Sequence, residues 1–438
     1  MDTARKTACE TLLRIFKDGA YSNLTLSAAL RAGELPGADS AFVSALVYTT
    51  VERQITVDYN LSLYLKQPLK KLRPEVCTVL RMGAAQILFM DKVPDSAAVN
   101  ESVRLIKQNK KVSYASGLVN AVLRKVSQNG LCLPPKDSAD YRSVLYSVPQ
   151  WLVTLWSGAY GAEEADRIMA SCFGGTDTCI RVNTLRTTAD ALAQRLTAEG
   201  VAVQRCDLLP DALILQKCGA PEKLTAFREG LFHVQDIASQ LCCKALDAKP
   251  GQTVYDVCAA PGGKSFTLAQ CMENTGGLYA YELHPHRIQL IEQGARRLGI
   301  ANLHSGQWDA GVFDTNRPKA DRVLCDVPCA GLGVIAKKPE IRYKKPEDID
   351  KLPDLQYNIL CISSQYVKEN GILVYSTCSL NPAENEAVCQ RFLQSHPQFH
   401  TLPILGEADK RETDNMVTLL PHRTGSDGFF ITAFTKTE

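Results

Sequence analysis

Residues 254–266 read VYDVCAAPGGKSF, and this stretch decides the fold of the second half of the chain. The apolar run 254–257 predicts a short strand that carries one acid, Asp256. The four residues 260–263 force a tight turn, and residues 264–272 resume a helical pattern. This order of strand, glycine-rich turn and helix places bare backbone and a helix N-terminus beside a ligand. The spacing is not GxGxxG, and the proline in the turn argues against a pyrophosphate loop.

Downstream of this stretch, predicted strands alternate with predicted helices. The strands are 277–281, 303–305, 322–325 and 372–375, and the helices are 287–298, 354–369 and 384–394. This alternation indicates an α/β, doubly wound, mostly parallel sheet. Two late strand-like runs, 417–420 and 429–434, would close the sheet with an antiparallel edge. Ligands bind such sheets at the carboxyl ends of the strands, so the residues just after each strand are the candidates for a site.

The first 130 residues read instead as an all-helical bundle, with periodic apolar segments at 4–17, 42–51 and 76–90. We predict a helical domain at 1–132, a small α+β subdomain at 145–235 and a catalytic domain at 236–438. Between residues 102 and 136 the chain has no acid and seven basic residues: Arg104, Lys107, Lys110, Lys111, Arg124, Lys125 and Lys136. Such a run is usually a solvated helix face, and contact with an RNA backbone is the alternative.

Composition limits the classes of function. With 438 residues, 45% of them hydrophobic, the chain can form several domains with their own cores. The net charge of +2 means that affinity for nucleic acid must come from local patches. No apolar run approaches the ~18 residues that a membrane span needs, so we expect a cytoplasmic protein without a membrane partner. The 16 cysteines are scattered without a CxxC pair, so we expect no metal.

Candidate ligand-binding groups follow the first three predicted strands. After the first strand comes the turn Cys258, Ala259, Ala260, Pro261, Gly262, Gly263 and Lys264. After the second comes Glu282, about 20 residues past the glycines, where an acid can accept both hydroxyls of a ribose. After the third comes Asp309, which is placed to receive an adenine amino group. Taken singly, each acid is equally compatible with a helix cap or a solvated charge.

Two cysteines follow the fourth and fifth predicted strands. The fourth strand ends in CDVPCAGLGV, where Asp326 and Cys329 bracket Pro328. The fifth ends in YSTCSLNPAENE, which places Cys378 in the turn before a helix that Asn381 and Pro382 start. Taken singly, each cysteine is also compatible with the role of a small apolar residue buried in the core. Both of these lie at strand ends among turn residues, so we predict that they are functional.

These motifs carry a family resemblance over essentially the whole chain. AAPGGK resembles the first motif of S-adenosyl-L-methionine (SAM) methyltransferases, and DVPC with STCS is similar to the two-cysteine signature of RNA 5-methylcytosine methyltransferases. YSNLTLSAAL, ALVYTTVERQ, LRMGAAQILFMDKVPDSAAVNESV and GLVNAVLRKV resemble the NusB-like RNA-binding domain at the head of the Sun/Fmu family. That family comprises the bacterial small-subunit rRNA cytosine methyltransferases called RsmB.

The resemblance implies a fold, a cofactor and a role for each candidate residue. The fold is an all-α NusB-like bundle, a small α+β subdomain and a Rossmann-like class I methyltransferase domain. The cofactor is SAM, bound by residues 258–264 with Glu282, Asp309 and Asp326. Cys378 is the nucleophile, Cys329 assists product release, and Asp326 also hydrogen-bonds the base and helps to protonate it at nitrogen 3. The substrate is 16S rRNA at cytosine 967, and we expect a monomer.

The chemistry explains why such an enzyme needs a thiol. Carbon 5 of cytosine is a poor nucleophile, and adding a thiolate to carbon 6 turns the ring into an enamine whose carbon 5 attacks the methyl group. The base must leave its stack, which favours single-stranded or looped RNA. The run VIAKKPEIRYKKPED after Gly333 adds groups for the RNA backbone and for base stacking: Lys337, Lys338, Arg342, Tyr343, Lys344 and Lys345. A solvated charged loop is the simpler alternative.

Other functions stay open at this point. The same reaction on tRNA or on another rRNA site is one alternative, and a non-catalytic RNA-binding factor is a second. A nicotinamide oxidoreductase is disfavoured because AAPGGK lacks the dinucleotide glycine spacing. DNA cytosine methyltransferases place the nucleophile after the proline of the fourth-strand motif, and the second cysteine, in STCS, separates the two classes.

Overall fold

The computed structural model describes residues 3–33, 35–174, 177–404, 412–413 and 415–437. The chain divides into two compact units. The first comprises the residues up to Phe173 together with Ile335–Lys344, and the second comprises Gly174–Val334 and the residues from Lys345 onward. The chain therefore leaves the second unit shortly after Cys329 and re-enters it ten residues later. The limits of the three domains that the sequence indicates stay predictions.

Helices are the only regular secondary structure in the described residues of the first unit. Its α-helices are α1 Thr3–Asp18, α2 Ser22–Ala32, α3 Gly37–Glu52, α4 Gln54–Ser62, α5 Pro74–Phe89, α6 Asp95–Gln108, α7 Ser116–Asn129, α8 Tyr141–Tyr146, α9 Gln150–Tyr160 and α10 Ala162–Ala170. Helix α5 contacts α1 and α3 as well as α6 and α7. Because neighbours cover it on several sides, its apolar residues are not confined to one stripe, and Leu80, Met82 and Ala85 are all fully buried. The predicted helical bundle is confirmed.

The segment Ile335–Lys344 completes the first unit. The side chain of Arg342 is fully buried, and its guanidinium donates hydrogen bonds to the Pro339 carbonyl of its own segment at 3.2 Å and to three carbonyl oxygens elsewhere: those of Glu52 at 2.8 Å, Ser147 at 3.2 Å and Cys172 at 2.7 Å. The hydroxyl of Tyr343 donates to the Val51 carbonyl at 2.6 Å. The prediction that Arg342 contacts RNA is therefore wrong, whereas that for the partly exposed Tyr343 stays a prediction. Both side chains satisfy carbonyl groups of the helical unit, two of which belong to the last turn of α3.

The second unit begins with a small antiparallel sheet. Its strands are β1 Thr178–Val182, β2 Ala202–Arg205, β3 Ala212–Gln216 and β4 Phe232–Val234, in the order β2-β3-β1-β4. Helix α11 Ala189–Ala198 begins after Thr188, whose hydroxyl accepts a hydrogen bond from the Ala191 amide, and the short α12 spans Thr225–Arg228. Side chains from α11 and from the strands form one buried cluster, which includes Leu192, Leu196 and Leu213.

The remainder of the second unit is built on a nine-stranded sheet. Its strands are β5 Thr253–Asp256, β6 Gly277–Glu282, β7 Leu303–Gln307, β8 Ala320–Asp326, β9 Val367–Thr377, β10 Phe399–Leu402, β11 Glu412–Thr413, β12 Met416–Leu419 and β13 Phe429–Lys436. The order is β11-β12-β13-β9-β8-β5-β6-β7, with β10 also paired to β13. Strands β5 to β9 pair in parallel, whereas β10 to β13 form antiparallel pairs. The doubly wound fold with an antiparallel edge is confirmed.

Helices accompany this sheet as the sequence predicts, with two differences. They are α13 Ile237–Leu246, α14 Gly263–Cys271, α15 Pro285–Leu298, α16 Leu352–Ser364, α17 Glu386–Ser395 and α18 Pro421–Thr424. The predicted helix 354–369 was too long, because Val367 already pairs with Ala320 at the start of β9. The last predicted helix does not start at Asn381, because residues 382–385 form a turn whose side chains bond back to the end of β9. Within the described ranges, no helix combines the length and apolar character needed to cross a bilayer.

Candidate active site

The strand order of the large sheet places a crevice at the carboxyl end of β5. The chain runs from β5 to β6 and β7 on one side of β5, and then returns to β8 and β9 on the other side. In open α/β sheets, ligands bind where the strand order reverses, outside the carboxyl ends of the strands. The predicted site residues follow β5 to β9 at this edge, which is where the parallel-sheet rule expects them.

The two glycines of the turn after β5 differ in whether a side chain would fit at their position. The Ala259 amide donates to the Tyr281 carbonyl at 2.8 Å, and the Gly262 amide closes the turn by donating to Ala259 O at 2.8 Å. Gly262 has a φ of 111°, and a Cβ added there would collide with the ring of Phe266. A Cβ at Gly263 would meet nothing within 4 Å. Gly262 is thus required by conformation, whereas Gly263 leaves open space at the N-terminus of α14.

The two candidate acids after β6 and β7 differ in how they are held. Glu282 is buried, and its carboxylate accepts hydrogen bonds from the His284 amide at 3.1 Å and pairs with the Arg287 guanidinium at 3.0 Å. Asp309 is exposed, and its carboxylate accepts from the Gly311 amide at 2.9 Å. Asp309 therefore caps a turn, which is the alternative that the sequence left open for it. The cofactor contacts of both acids stay predictions.

Lys264 and Asp326 form an ion pair between the turn after β5 and the end of β8. Lys264 Nζ lies 2.8 Å from Asp326 Oδ2, and Ser376 Oγ donates to the other oxygen at 2.8 Å. Burial by itself would lower the pKa of Lys264, but the adjacent Asp326 carboxylate outweighs it and raises that pKa above its usual value. Lys264 is therefore protonated at neutral pH, and its charge is engaged by Asp326.

The two predicted cysteines lie in contact. Cys329 Sγ and Cys378 Sγ are 3.2 Å apart, although the residues are separated by 49 positions in the chain. Both residues are partly buried. The hydrogen bond between the thiols and, after it, burial raise the pKa of Cys329 well above its usual value. The thiolate form of Cys329 is therefore disfavoured in this arrangement.

Several polar residues around the cysteines have no predicted role. Glu384 is fully buried and accepts hydrogen bonds from residues adjacent to both cysteines. The Gln356 side chain donates to the Pro328 carbonyl at 2.9 Å. Glu384 lies inside the motif YSTCSLNPAENE, which follows the fifth predicted strand. Its position as a polar residue in a turn after that strand is the sequence signal that could have marked it as part of the site. Gln356 lies inside helix α16, and no local pattern marks it.

Comparison with known proteins identifies the family. Three family models match: 16S rRNA methyltransferase RsmB/F over residues 243–435, the NusB family over 2–128, and the ferredoxin-like domain of RsmF/B-like methyltransferases over 148–220. The chain is 36% identical to a probable ribosomal RNA small subunit methyltransferase B of Bacillus subtilis, with 99% of each chain covered. The chain belongs to the RsmB/F family of 16S rRNA methyltransferases. The predicted family resemblance is thereby confirmed.

Two further comparisons extend over the full length. A probable ribosomal RNA small subunit methyltransferase B of Synechocystis is 34% identical, with 100% of each chain covered. The crystal structure of the protein PH0851 is 27% identical, with a TM-score of 0.87 over 100% of this chain and 99% of that chain. The fold of this chain therefore matches that of PH0851 over nearly the full length of both chains.

The residues at the carboxyl ends of β5 and β6 fit the SAM cofactor of the RsmB/F family. Gly263 leaves open space beside a helix N-terminus, and the buried carboxylate of Glu282 lies on the neighbouring parallel strand. An acceptor at this position suits the vicinal hydroxyls of a ribose. In the described part of the chain, no group of three His, Cys, Asp or Glu side chains is arranged to hold a metal ion.

Proposed function

We propose that the chain methylates carbon 5 of a cytosine in 16S rRNA, by way of a covalent bond between Cys378 and carbon 6 of the base. The observation that carries the proposal is the contact of Cys378 and Cys329 at 3.2 Å, just past the ends of the neighbouring parallel strands β9 and β8, of which β8 pairs with the glycine-turn strand β5. Two partly buried thiols at this edge suit covalent catalysis in which one thiol bonds to the base and the other assists release of the methylated product. Cytosine 967 is the proposed position, and it rests on the family resemblance alone.

The protonation of the thiol pair supports the division of roles. The contact with Cys378 and burial raise the pKa of Cys329 and so disfavour its thiolate, which supports a role for Cys329 other than that of the nucleophile. The sulfur of Cys378 adds to carbon 6 of cytosine, and carbon 5 gains nucleophilic character. SAM, when bound, supplies the electrophilic methyl group.

Cys329 then assists the second half of the reaction. Carbon 5 loses its proton to a base, the bond between Cys378 and carbon 6 breaks, and the aromatic ring is restored. We propose that the Asp326 carboxylate orients the base through a hydrogen bond on the side of nitrogen 3. Lys264 neutralises this carboxylate, and Ser376 holds its other oxygen, so Asp326 is fixed before the substrate arrives.

The helical unit offers a surface for the RNA. All seven basic residues of the 102–136 run are exposed, and Tyr114 among them is 75% exposed. Exposed lysine and arginine side chains suit neutralisation of the RNA backbone, and an exposed aromatic ring in the same stretch of chain suits base stacking. We therefore propose that this surface contacts the rRNA. The cytoplasmic location and the monomeric state stay predictions from the sequence.

The experiment that tests this function combines the site and the product. Cys378→Ala should abolish transfer of tritium from methyl-labelled SAM to 16S rRNA, whereas Cys271→Ala, an exposed cysteine at the end of α14, should retain it. Undiminished transfer by Cys378→Ala would remove Cys378 as the nucleophile. Bisulfite sequencing of 16S rRNA from cells with and without the gene should show one cytosine that loses protection. If no cytosine changes, reaction at carbon 5 is refuted.

A further inference from the structure

A single buried carboxylate connects the loops that carry the two cysteines. Glu384 is fully buried in the turn between β9 and α17. Its Oε2 accepts hydrogen bonds from the Ala330 amide at 2.7 Å and from the Gln356 side chain at 3.0 Å, and its Oε1 accepts from the Ser379 hydroxyl at 2.7 Å. Ala330 directly follows Cys329, and Ser379 directly follows Cys378. The carboxylate thus holds both neighbours of the thiol pair.

The position of this carboxylate is itself fixed by the turn. The Tyr375 hydroxyl donates to the Glu384 carbonyl at 2.6 Å, and the Asn385 side chain donates to the Ser379 carbonyl at 2.9 Å. A carboxylate only accepts hydrogen bonds, so it matches three converging donors in a site without exposed surface. A backbone hydrogen bond from the Gly333 amide to the Cys378 carbonyl, at 2.9 Å, also joins the loops. Glu384 is therefore the side chain through which the spacing of the loops can be changed.

We propose that Glu384 is a positioning residue that holds Cys329 against Cys378 and so determines how fast the covalent adduct is resolved. This inference rests on the proposed function for its kinetic part, and Glu384 itself touches neither RNA nor cofactor in it. Removing the carboxylate frees the Ala330 amide and the Ser379 hydroxyl together. The loop of Cys329 then shifts relative to Cys378, and a misplacement of about 1 Å at a reacting group costs on the order of 100-fold in rate.

Three substitutions separate positioning from charge and from folding. Glu384→Ala removes all three acceptor contacts, and Glu384→Asp withdraws the carboxylate by one methylene without changing its charge. Glu384→Gln keeps the length, because its carbonyl oxygen can replace Oε2 while its amide donates to the Ser379 hydroxyl. Glu386→Ala is the matched control: this acid lies two residues further on, is partly buried, and accepts from Thr418 rather than from a cysteine loop.

The first test needs neither RNA nor cofactor, so it can fail independently of the proposed function. Phenylarsine oxide forms two arsenic–sulfur bonds with neighbouring thiols and releases one water, and its capture is measured by intact-protein mass spectrometry. Capture by the full chain should be lost in Cys329→Ser and in Cys378→Ser. It should slow at least about tenfold in Glu384→Ala and less in Glu384→Asp, because the thiols are no longer preorganised. Glu384→Gln and Glu386→Ala should capture at the wild-type rate.

The second test measures release with 16S rRNA and SAM. Glu384→Ala should accumulate a protein–RNA adduct on denaturing gels, whereas Glu384→Gln should not. The proposal is overturned if Glu384→Ala captures the arsenical at the wild-type rate, or if Glu386→Ala slows capture equally. If Glu384→Ala does not fold, the same criteria apply to Glu384→Asp. A wild-type protein that captures the arsenical but transfers no methyl group would refute the proposed function and leave the geometric assignment intact.

Discussion

Replacing Arg342 by alanine should loosen the helical unit more than any local pattern of the sequence suggests. Arg342 is fully buried, and its guanidinium serves the carbonyl groups of Glu52, Ser147 and Cys172 from a segment that lies at least 170 positions away from each of them. Its charge also faces the ring of Phe173, 5.6 Å from the ring centroid. Alanine removes every one of these contacts and leaves the three carbonyl groups without that donor.

The magnitude follows from the three acceptors. A buried acceptor that loses its partner costs about 1–3 kcal/mol, so three of them set a lower estimate of about 3 kcal/mol. That is a large share of the ~5–15 kcal/mol by which domains are usually stable. Arg342→Lys keeps the charge but not the planar fork of donors, and we expect it to recover less than half of the loss. Lys338→Ala, an exposed position of the same segment, should change stability by less than about 0.5 kcal/mol.

Hydrogen exchange of the full chain, read by mass spectrometry, is the assay. The amides of α3 and α10 should exchange faster in Arg342→Ala, by a factor that corresponds to about 3 kcal/mol of opening free energy if they open with the whole unit. Amides of β5 and β6 in the second unit serve as the internal reference. The reasoning is refuted if the α3 and α10 amides of Arg342→Ala exchange within a factor of a few of the wild type, or if Lys338→Ala accelerates them equally.

Three further predictions concern the site and its substrate. Cys329→Ala should leave protein covalently linked to 16S rRNA, and the absence of a slow-migrating band on a denaturing gel would contradict its role in release. Burial raises the pKa of Asp256 from 3.8 to about 7, so folding favours its protonated form, and stability is lost as the pH rises from about 4 to about 7. Asp256→Asn should remove up to about 4 kcal/mol of this pH dependence (about 3 pKa units at ~1.4 kcal/mol each), measured as the free energy of unfolding in urea at each pH. An unchanged slope of that free energy against pH would show that Asp256 is not the titrating group. Replacing Lys110 and Lys111 together by alanine should lower the slope of log affinity for rRNA against log salt by about two, and an unaltered slope would exclude their phosphate contacts.

The sequence by itself determined the elements and the edge at which the site lies. Apolar runs and the AAPGGK turn are local signals. In a parallel sheet, whose strands are joined by right-handed crossovers, the carboxyl ends of the strands lie at one edge. For this reason Cys329 and Cys378 were predictable as neighbours, although 49 positions separate them. The roles of the cofactor-side residues after β5, β6 and β7 remain predictions that this edge supports.

The tertiary structure alone decided which charged groups are buried and what they hold. Arg342 stands in a basic run that resembles a solvated loop, and three of its acceptors lie 170, 195 and 290 positions away. Glu384 accepts a hydrogen bond from Ala330, which lies 54 positions earlier in the chain, and a local sequence pattern does not extend over that distance. The physical reason is that periodicity and turn chemistry act between neighbours along the chain, whereas the burial of a charge depends on donors and acceptors that only the completed fold brings together.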